Sequence, residues 1–203
     1  ALPAVVGDGG LELMRFINGK AEPVARIHTP DKFGDDMKGR RKTVVEALSS
    51  GKLVAGIEPG RTAVSMFASA PVIAGGQTVG VVDVGTSLTN AYFEPLARRI
   101  DGDVAVHILV EGKLEKQAST TESVLLSEDD LKAAFDGDAV QRQVTSNDAT
   151  FVVKAVPFNN YSGTKIGILE IASNVSDVVN DGKTALWMTV IGTAVVSLLS
   201  LLG

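Results

Sequence analysis

A chain of 203 residues, 45% hydrophobic and 21% charged, has room for one large or two small domains and can fold most of itself around a core. It contains no cysteine, which excludes disulfides, thiolate catalysis, Cys-type zinc sites and c-type haem attachment together. A net charge of −5, with no aromatic residues interleaved among the basic ones, excludes nucleic acid as a partner.

The chain opens "ALPAVVGDGG", without a Met, a basic region or an apolar run, so a processed or cut end is expected. Runs rich in β-branched residues and bounded by Gly, Asn and Asp predict strands near 11–18 and 22–28. A helix is expected over residues 38–50, stopped by Gly51, with Asp35 and Asp36 near its start because the macrodipole favours acids there. Strands come next near 52–57, 62–74 and 77–85, and "AYFEPLARRI" reads as a connecting helix. The same order then recurs: strands near 104–110 and 113–120, a helix over 127–135, and strands near 139–146, 150–160 and 164–172. Ser127 with Asp130 makes a capping box for the helix over 127–135.

Val175, Val178 and Val179 continue toward Leu186 at helical spacing, so the last strand should feed directly into the C-terminal segment. That segment is "TALWMTVIGTAVVSLLSLLG", 20 residues without a charge, preceded by Lys183 and carrying the only Trp, Trp187, near its start. At 1.5 Å per residue such a helix covers the roughly 30 Å of a bilayer's hydrocarbon, so residues 181–203 are expected to form a transmembrane helix. Gly182 is its expected weak point, and Thr189, Thr193 and Ser197 form a stripe suited to packing on another helix.

The recurrence extends to the residues themselves. "ALSSGKLVAGIEPGRTAVSMFASAPV" echoes "AAFDGDAVQRQVTSNDATFVVKAVPF", with Gly51 and Pro71 spaced like Gly137 and Pro157. "GGQTVGVVDVGTSL" echoes "YSGTKIGILEIASNV", placing Asp83 beside Glu170, and the turns Asn18-Gly19 and Glu111-Gly112 correspond more loosely. Two copies of one unit suggest two domains. Five antiparallel strands with a helical excursion after the second make each unit PAS-like.

Two such units before a membrane helix resemble the double Cache sensor domains of bacterial chemoreceptors and sensor kinases. "RIHTPDKFGDDMKGRRKTVVEA", "GIEPGR" and "PVIAGGQTVGVVDVG" are similar to a membrane-distal module, and "VPFNNYSGTKIGILEIASNVSDVV" resembles the end of a membrane-proximal one. The resemblance implies an α+β fold of two tandem PAS-like modules with five-stranded antiparallel sheets, followed by a transmembrane helix. It divides the chain into a distal module with linker helix at 1–99, lacking the usual N-terminal helix, a proximal module at 100–180, and the span at 181–203. It also implies a homodimer.

Enzyme chemistry finds no support: there is no GxSxG elbow, and "GGQTVG" lacks the Lys of a phosphate loop. No cofactor is expected, and no metal either. His28, Asp35 and Asp36 fall short of a converging donor set, since His107 lies in the other copy. A ligand clamp fits better. Residues 1–100 carry 12 Lys and Arg against 10 Asp and Glu, whereas residues 101–183 carry 7 against 14. Seven of the eight arginines lie in the first copy; Arg26, Arg40 and Arg61 stand where the second has Ser119, Leu126 and Asn147. Guanidinium is suited to bidentate capture of a carboxylate. The candidate ligand-binding residues are Arg26, His28, Arg40, Arg61 and Phe67, and the second copy is expected to be structural, with Tyr161 covering a sheet edge.

The expected function is the ligand-sensing region of a transmembrane chemoreceptor in the cell inner membrane, with residues 1–183 periplasmic or extracellular and a small carboxylate as ligand. A sensor kinase or cyclase region and a membrane-anchored accessory subunit are the alternatives.

Overall fold

The computed structural model describes residues 11–59, 63–123, 125–137, 139–146, 148–184 and 186. Most of the expected membrane span, and with it Thr189, Thr193 and Ser197, therefore lies outside the described residues. Among those described, no helix is long and apolar enough to cross a membrane.

The first module contains β1 (Leu13–Asn18), β2 (Pro23–Arg26), α1 (Lys42–Ser50), β3 (Val54–Pro59), β4 (Val64–Ala74) and β5 (Gln77–Ser87). Helix α2 (Asn90–Ile100) leads to the second module: β6 (Gly102–Val110), β7 (Lys113–Ser119), α3 (Glu128–Asp136), β8 (Val140–Ser146), β9 (Ala149–Asn159) and β10 (Lys165–Asn174). The sheets have the same antiparallel order, β2-β1-β5-β4-β3 and β7-β6-β10-β9-β8. The repeat thus reflects two α+β units built alike. The long β4–β5 hairpin turns at Gly75 and Gly76, whose φ values of 58° and 78° are the left-handed pair that a tight hairpin needs. After β10 the chain is helical from 176 to 184, so the last strand does feed directly into a helix.

One expectation fails at α1. The helix begins at Lys42, not residue 38, and its first turn holds no acidic residue. Residues 38–40 form a turn, and Arg41 takes the N-cap position without a side-chain cap. The carboxylate that serves the helix start comes from β3: Glu58 Oε1 accepts from Lys42 N at 2.5 Å and Thr43 N at 3.3 Å. A strand partner 15 residues downstream supplies what the local sequence was expected to supply.

α1 lies on one face of the first sheet, burying Met37, Val44 and Ala47 against Ile17, Ala21 and Val81. α3 does the same in the second, where Leu131 and Ala134 meet Val153, Ala155, Ile168 and Ala172. A third cluster spans both modules: Val64 and Leu88 join Phe93 and Ala97 of α2 and Val104, Val106 and Ile108 of β6. Polar contacts reinforce this joint. Gln117 of β7 accepts from Val64 N at 2.7 Å and donates to Val64 O at 3.2 Å and Leu88 O at 2.8 Å. Tyr161 does not simply cover an edge of its own sheet. Its N–H reaches Ile57 O of β3 at 2.7 Å, and its ring lies against Gly56, where a Cβ would come within 2.7 Å of the ring.

Candidate functional site

The face of the first sheet beneath α1 is unusual in being charged. Side chains alternate along a strand, so Arg15 and Ile17 of β1, Ser65, Phe67 and Ser69 of β4, and Asp83, Gly85 and Ser87 of β5 share this face. Its lower part, at Ile17 and Val81, is the apolar contact with α1. Above that, Asp83 stands in register with Arg15 on one side and Ser69 on the other.

Asp83 accepts from Arg15 Nη1 at 2.9 Å, Arg41 Nη2 at 2.9 Å and Ser69 Oγ at 2.8 Å. The other terminal nitrogen of Arg41, Nη1, lies 2.9 Å from Glu58 Oε2, without an N–H aligned for a hydrogen bond. Glu58 also accepts from Thr43 Oγ1 at 2.7 Å. Asp83 and Glu58 are 1% and 3% exposed. Burial pulls Arg15 and Arg41 below the ordinary arginine value, and the Asp83 charge opposes the shift. Charges this deep persist only because each is paired and hydrogen-bonded. Under them, Phe67 offers its ring to Arg41, whose guanidinium carbon stands 3.2 Å from the centroid.

Above the charged tier a cavity of about 200 Å³ opens. Leu13, Ser65 and Ser87 line its floor, and Arg26, His28, Thr29, Lys32 and Arg40 come from β2 and the segment after it. Arg15 and Arg41 reach it from below, and Pro59 and Ala63 close one side. Among the described residues the lining holds five cationic side chains and no carboxylate.

Arg26, His28 and Arg40, picked from the sequence, all border this cavity. Phe67 does not; it is 3% exposed and supports Arg41 from beneath. Arg61 lies outside the described residues. Arg15, Arg41, Glu58 and Asp83 escaped sequence reasoning, although the pairing of Asp83 with Glu170 in the repeat marked one of them. Arg26 is buried, donating to Lys32 O at 2.6 Å and to Asp35 at 2.5 Å, while Arg40 holds the other Asp35 oxygen. Asp35 is thus an ion-pair partner of two arginines, not a helix-start charge. Burial alone would raise its carboxyl, but the Arg26 hydrogen bond and charge, then Arg40, hold it below the usual carboxylate value. His28 Nδ1 faces Met14 N at 3.4 Å; burial first, then Arg15 and Arg26, lower its imidazole below the ordinary value.

In the second module, Glu170 occupies the place of Asp83 and pairs with His107 at 2.5 Å. Leu125 and Leu126 join the buried apolar cluster under α3, with Val153, Ala155, Ile168 and Ala172. Leucine where the first module has Arg40 marks the difference between a filled face and an open one.

Residues 6–179 match a family model described as "Double sensory domain of two-component sensor kinase". The chain belongs to the double Cache sensory family. Several solved receptor domains are similar to it. The ligand-binding domain of the Campylobacter jejuni chemoreceptor Tlp3, in complex with 4-methylisoleucine, is 13% identical at a TM-score of 0.49, covering 86% of this chain and 69% of that one. The ligand-binding domain of the Pseudomonas fluorescens chemoreceptor CtaA, in complex with L-isoleucine, is 16% identical at 0.44, covering 85% and 73%. The extracellular domain of the putative histidine kinase rpHK1S-Z16 is 11% identical at 0.46, covering 86% and 76%. Similarity this distant carries nothing about the ligand of this double Cache chain. No curated protein matches it in sequence.

Proposed function

We propose that this chain is the ligand-sensing region of a transmembrane receptor and that its first module, membrane-distal, binds a small carboxylate. The observation behind this reading is the cavity lined by five cations and no carboxylate among the described residues. Such a lining favours an anion, and guanidinium groups favour a planar carboxylate over a spherical ion. The second module is membrane-proximal and structural, in keeping with its leucine-filled face. Binding changes the pose of the proximal module through the shared core and Gln117, and residues 176–184 pass that change toward a membrane helix. The ligand biases output only by its differential affinity for the two poses.

A chemoreceptor dimer in the inner membrane, with residues 1–183 outside the cytoplasm, is the first reading of the whole. A sensor kinase is the second, favoured by the description of the matching family. The test is thermal denaturation of the full chain in detergent with acetate, succinate, citrate and amino acids, beside the corresponding amides. A ligand that binds only the native state raises its melting temperature. Selective stabilisation by carboxylates is expected; stabilisation by the neutral amides alone would overturn the anion reading.

A further inference from the structure

Three carboxylates, Asp35, Glu58 and Asp83, balance the arginines around the cavity, but they differ in what holds them. Asp83 is fixed in mid-strand by two guanidiniums and Ser69. Glu58 also caps the start of α1. Removing either would leave buried donors and cations without partners. Asp35 also pairs with a buried guanidinium, that of Arg26, but differs in its own exposure. Its side chain is 35% exposed and sits between two backbone anchors, Gly34 N on Pro23 O at 2.8 Å and Met37 N on Ala21 O at 3.1 Å. With the backbone held on both sides, the carboxylate can leave for water by rotating about its own side chain, giving up its pairs with Arg26 and Arg40.

Arg26 would remain in place after such a rotation. It is 7% exposed, and its Nη1 stays tied to Lys32 O at 2.6 Å. Both terminal nitrogens of Arg26 are engaged, one by that carbonyl and the other by Asp35. Each terminal nitrogen keeps a second N–H, but another carboxylate can bridge Arg26 and Arg40 as Asp35 does only by taking the place of that side chain. Both Arg26 and Arg40 face the cavity where such a competitor would arrive.

We infer that the cleft between Arg26 and Arg40 is a carboxylate subsite that the chain fills with its own Asp35, and that a ligand carboxylate enters it by displacing that side chain. The inference rests on the carboxylate reading of the cavity and adds where the carboxylate docks. The pairs of Arg15 and Arg41 stay intact on binding, so specificity for the charged group resides in Arg26, Arg40 and the ease with which Asp35 leaves.

Acetate and formate are the probes, with chloride at equal ionic strength as the control, on the full chain in detergent. Asp35→Gly lowers the melting temperature, and acetate restores it saturably while chloride does not. Adding Arg26→Gln abolishes the rescue. Asp35→Asn, which keeps the side-chain shape, tightens acetate binding about tenfold if Asp35 fills the subsite roughly nine-tenths of the time. Equal acetate effects on wild type and Asp35→Asn, or weaker binding by the variant, would overturn the inference; so would rescue that survives Arg26→Gln. Carboxylate binding by the wild type that Asp35→Asn leaves unchanged removes the displacement and keeps the proposed function. Acetate rescue of Asp35→Gly without any carboxylate response in the wild type does the reverse.

Discussion

The guanidinium carbon of Arg41 stands 3.2 Å from the centroid of Phe67, and Cδ1 and Cε1 of that ring lie against Gly85. A Cβ at position 85 would approach Phe67 Cδ1 to 2.5 Å and Met66 O to 3.0 Å. Gly85→Ala therefore displaces the Phe67 ring and disturbs its contact with Arg41. The expected cost is about 1–3 kcal/mol, typical of overpacking, read as a lower urea midpoint. Carboxylate affinity should fall with it.

Arg41 alone is shared between Asp83 and Glu58. Arg41→Met leaves one buried carboxylate short of a partner and the other with only Lys42, Thr43 and its hydroxyl. Breaking such a pair costs roughly 3–5 kcal/mol. Arg41→Lys should recover only part of this, because an ammonium cannot fork between two carboxylates or lie flat on Phe67. Equilibrium unfolding of both variants checks the order; equal stabilities would contradict it.

The pH dependence arises from His28 and Asp35. The folded-state pKa of His28 is lowered, chiefly by burial, so the unfolded chain binds that proton more tightly. Stability from neutral His28 is present above about pH 6.5 and is lost as pH falls through the window below it. Asp35 is also lowered, so its share is present above about pH 3.9 and is lost as pH falls through its folded value. Urea midpoints against pH should show two separate declines. His28→Gln removes the upper one and leaves the lower.

Gln117→Leu keeps the bulk of the joint between modules and deletes its hydrogen bonds. The Val64 amide then loses its acceptor. For a bond worth about 1 kcal/mol, exchange at Val64 should quicken about fivefold while amides of the β9–β10 ladder hold their rates. Unchanged exchange at Val64 would mean that the surrounding apolar cluster alone holds the joint.

Much of this architecture was open to reading because it is written in short-range pattern. Alternation along "QTVGVVDVG", turn glycines and the Ser127 cap each speak for their own neighbourhood, and repetition multiplied their weight. The arginine imbalance identified the module with the open cavity for the same reason, since composition survives without coordinates. What stayed hidden were partnerships across the sheet. Arg15 and Asp83 lie 68 residues apart, and Arg41 and Asp83 lie 42 apart; neither carries a local mark. The start of α1 was misplaced through the same blindness, because its capping carboxylate belongs to β3. Asp35 and Asp36 imitated a helix-start signal, but Asp35 is taken up by Arg26 and Arg40.

Among the described residues, the hydrogen bonds of Gln117 to the first module all go to main-chain groups of Val64 and Leu88. Peptide groups are the same whatever side chain they bear, so this fastening asks almost nothing of the sequence it grips. The first module can vary elsewhere without disturbing these hydrogen bonds, whereas the shared apolar core and the fit of Tyr161 on Gly56 still constrain its side chains. Grafting a different first module onto this second one should then succeed only where the path of the strand ends, the apolar residues at Val64 and Leu88 and the glycine at 56 are kept together with Gln117.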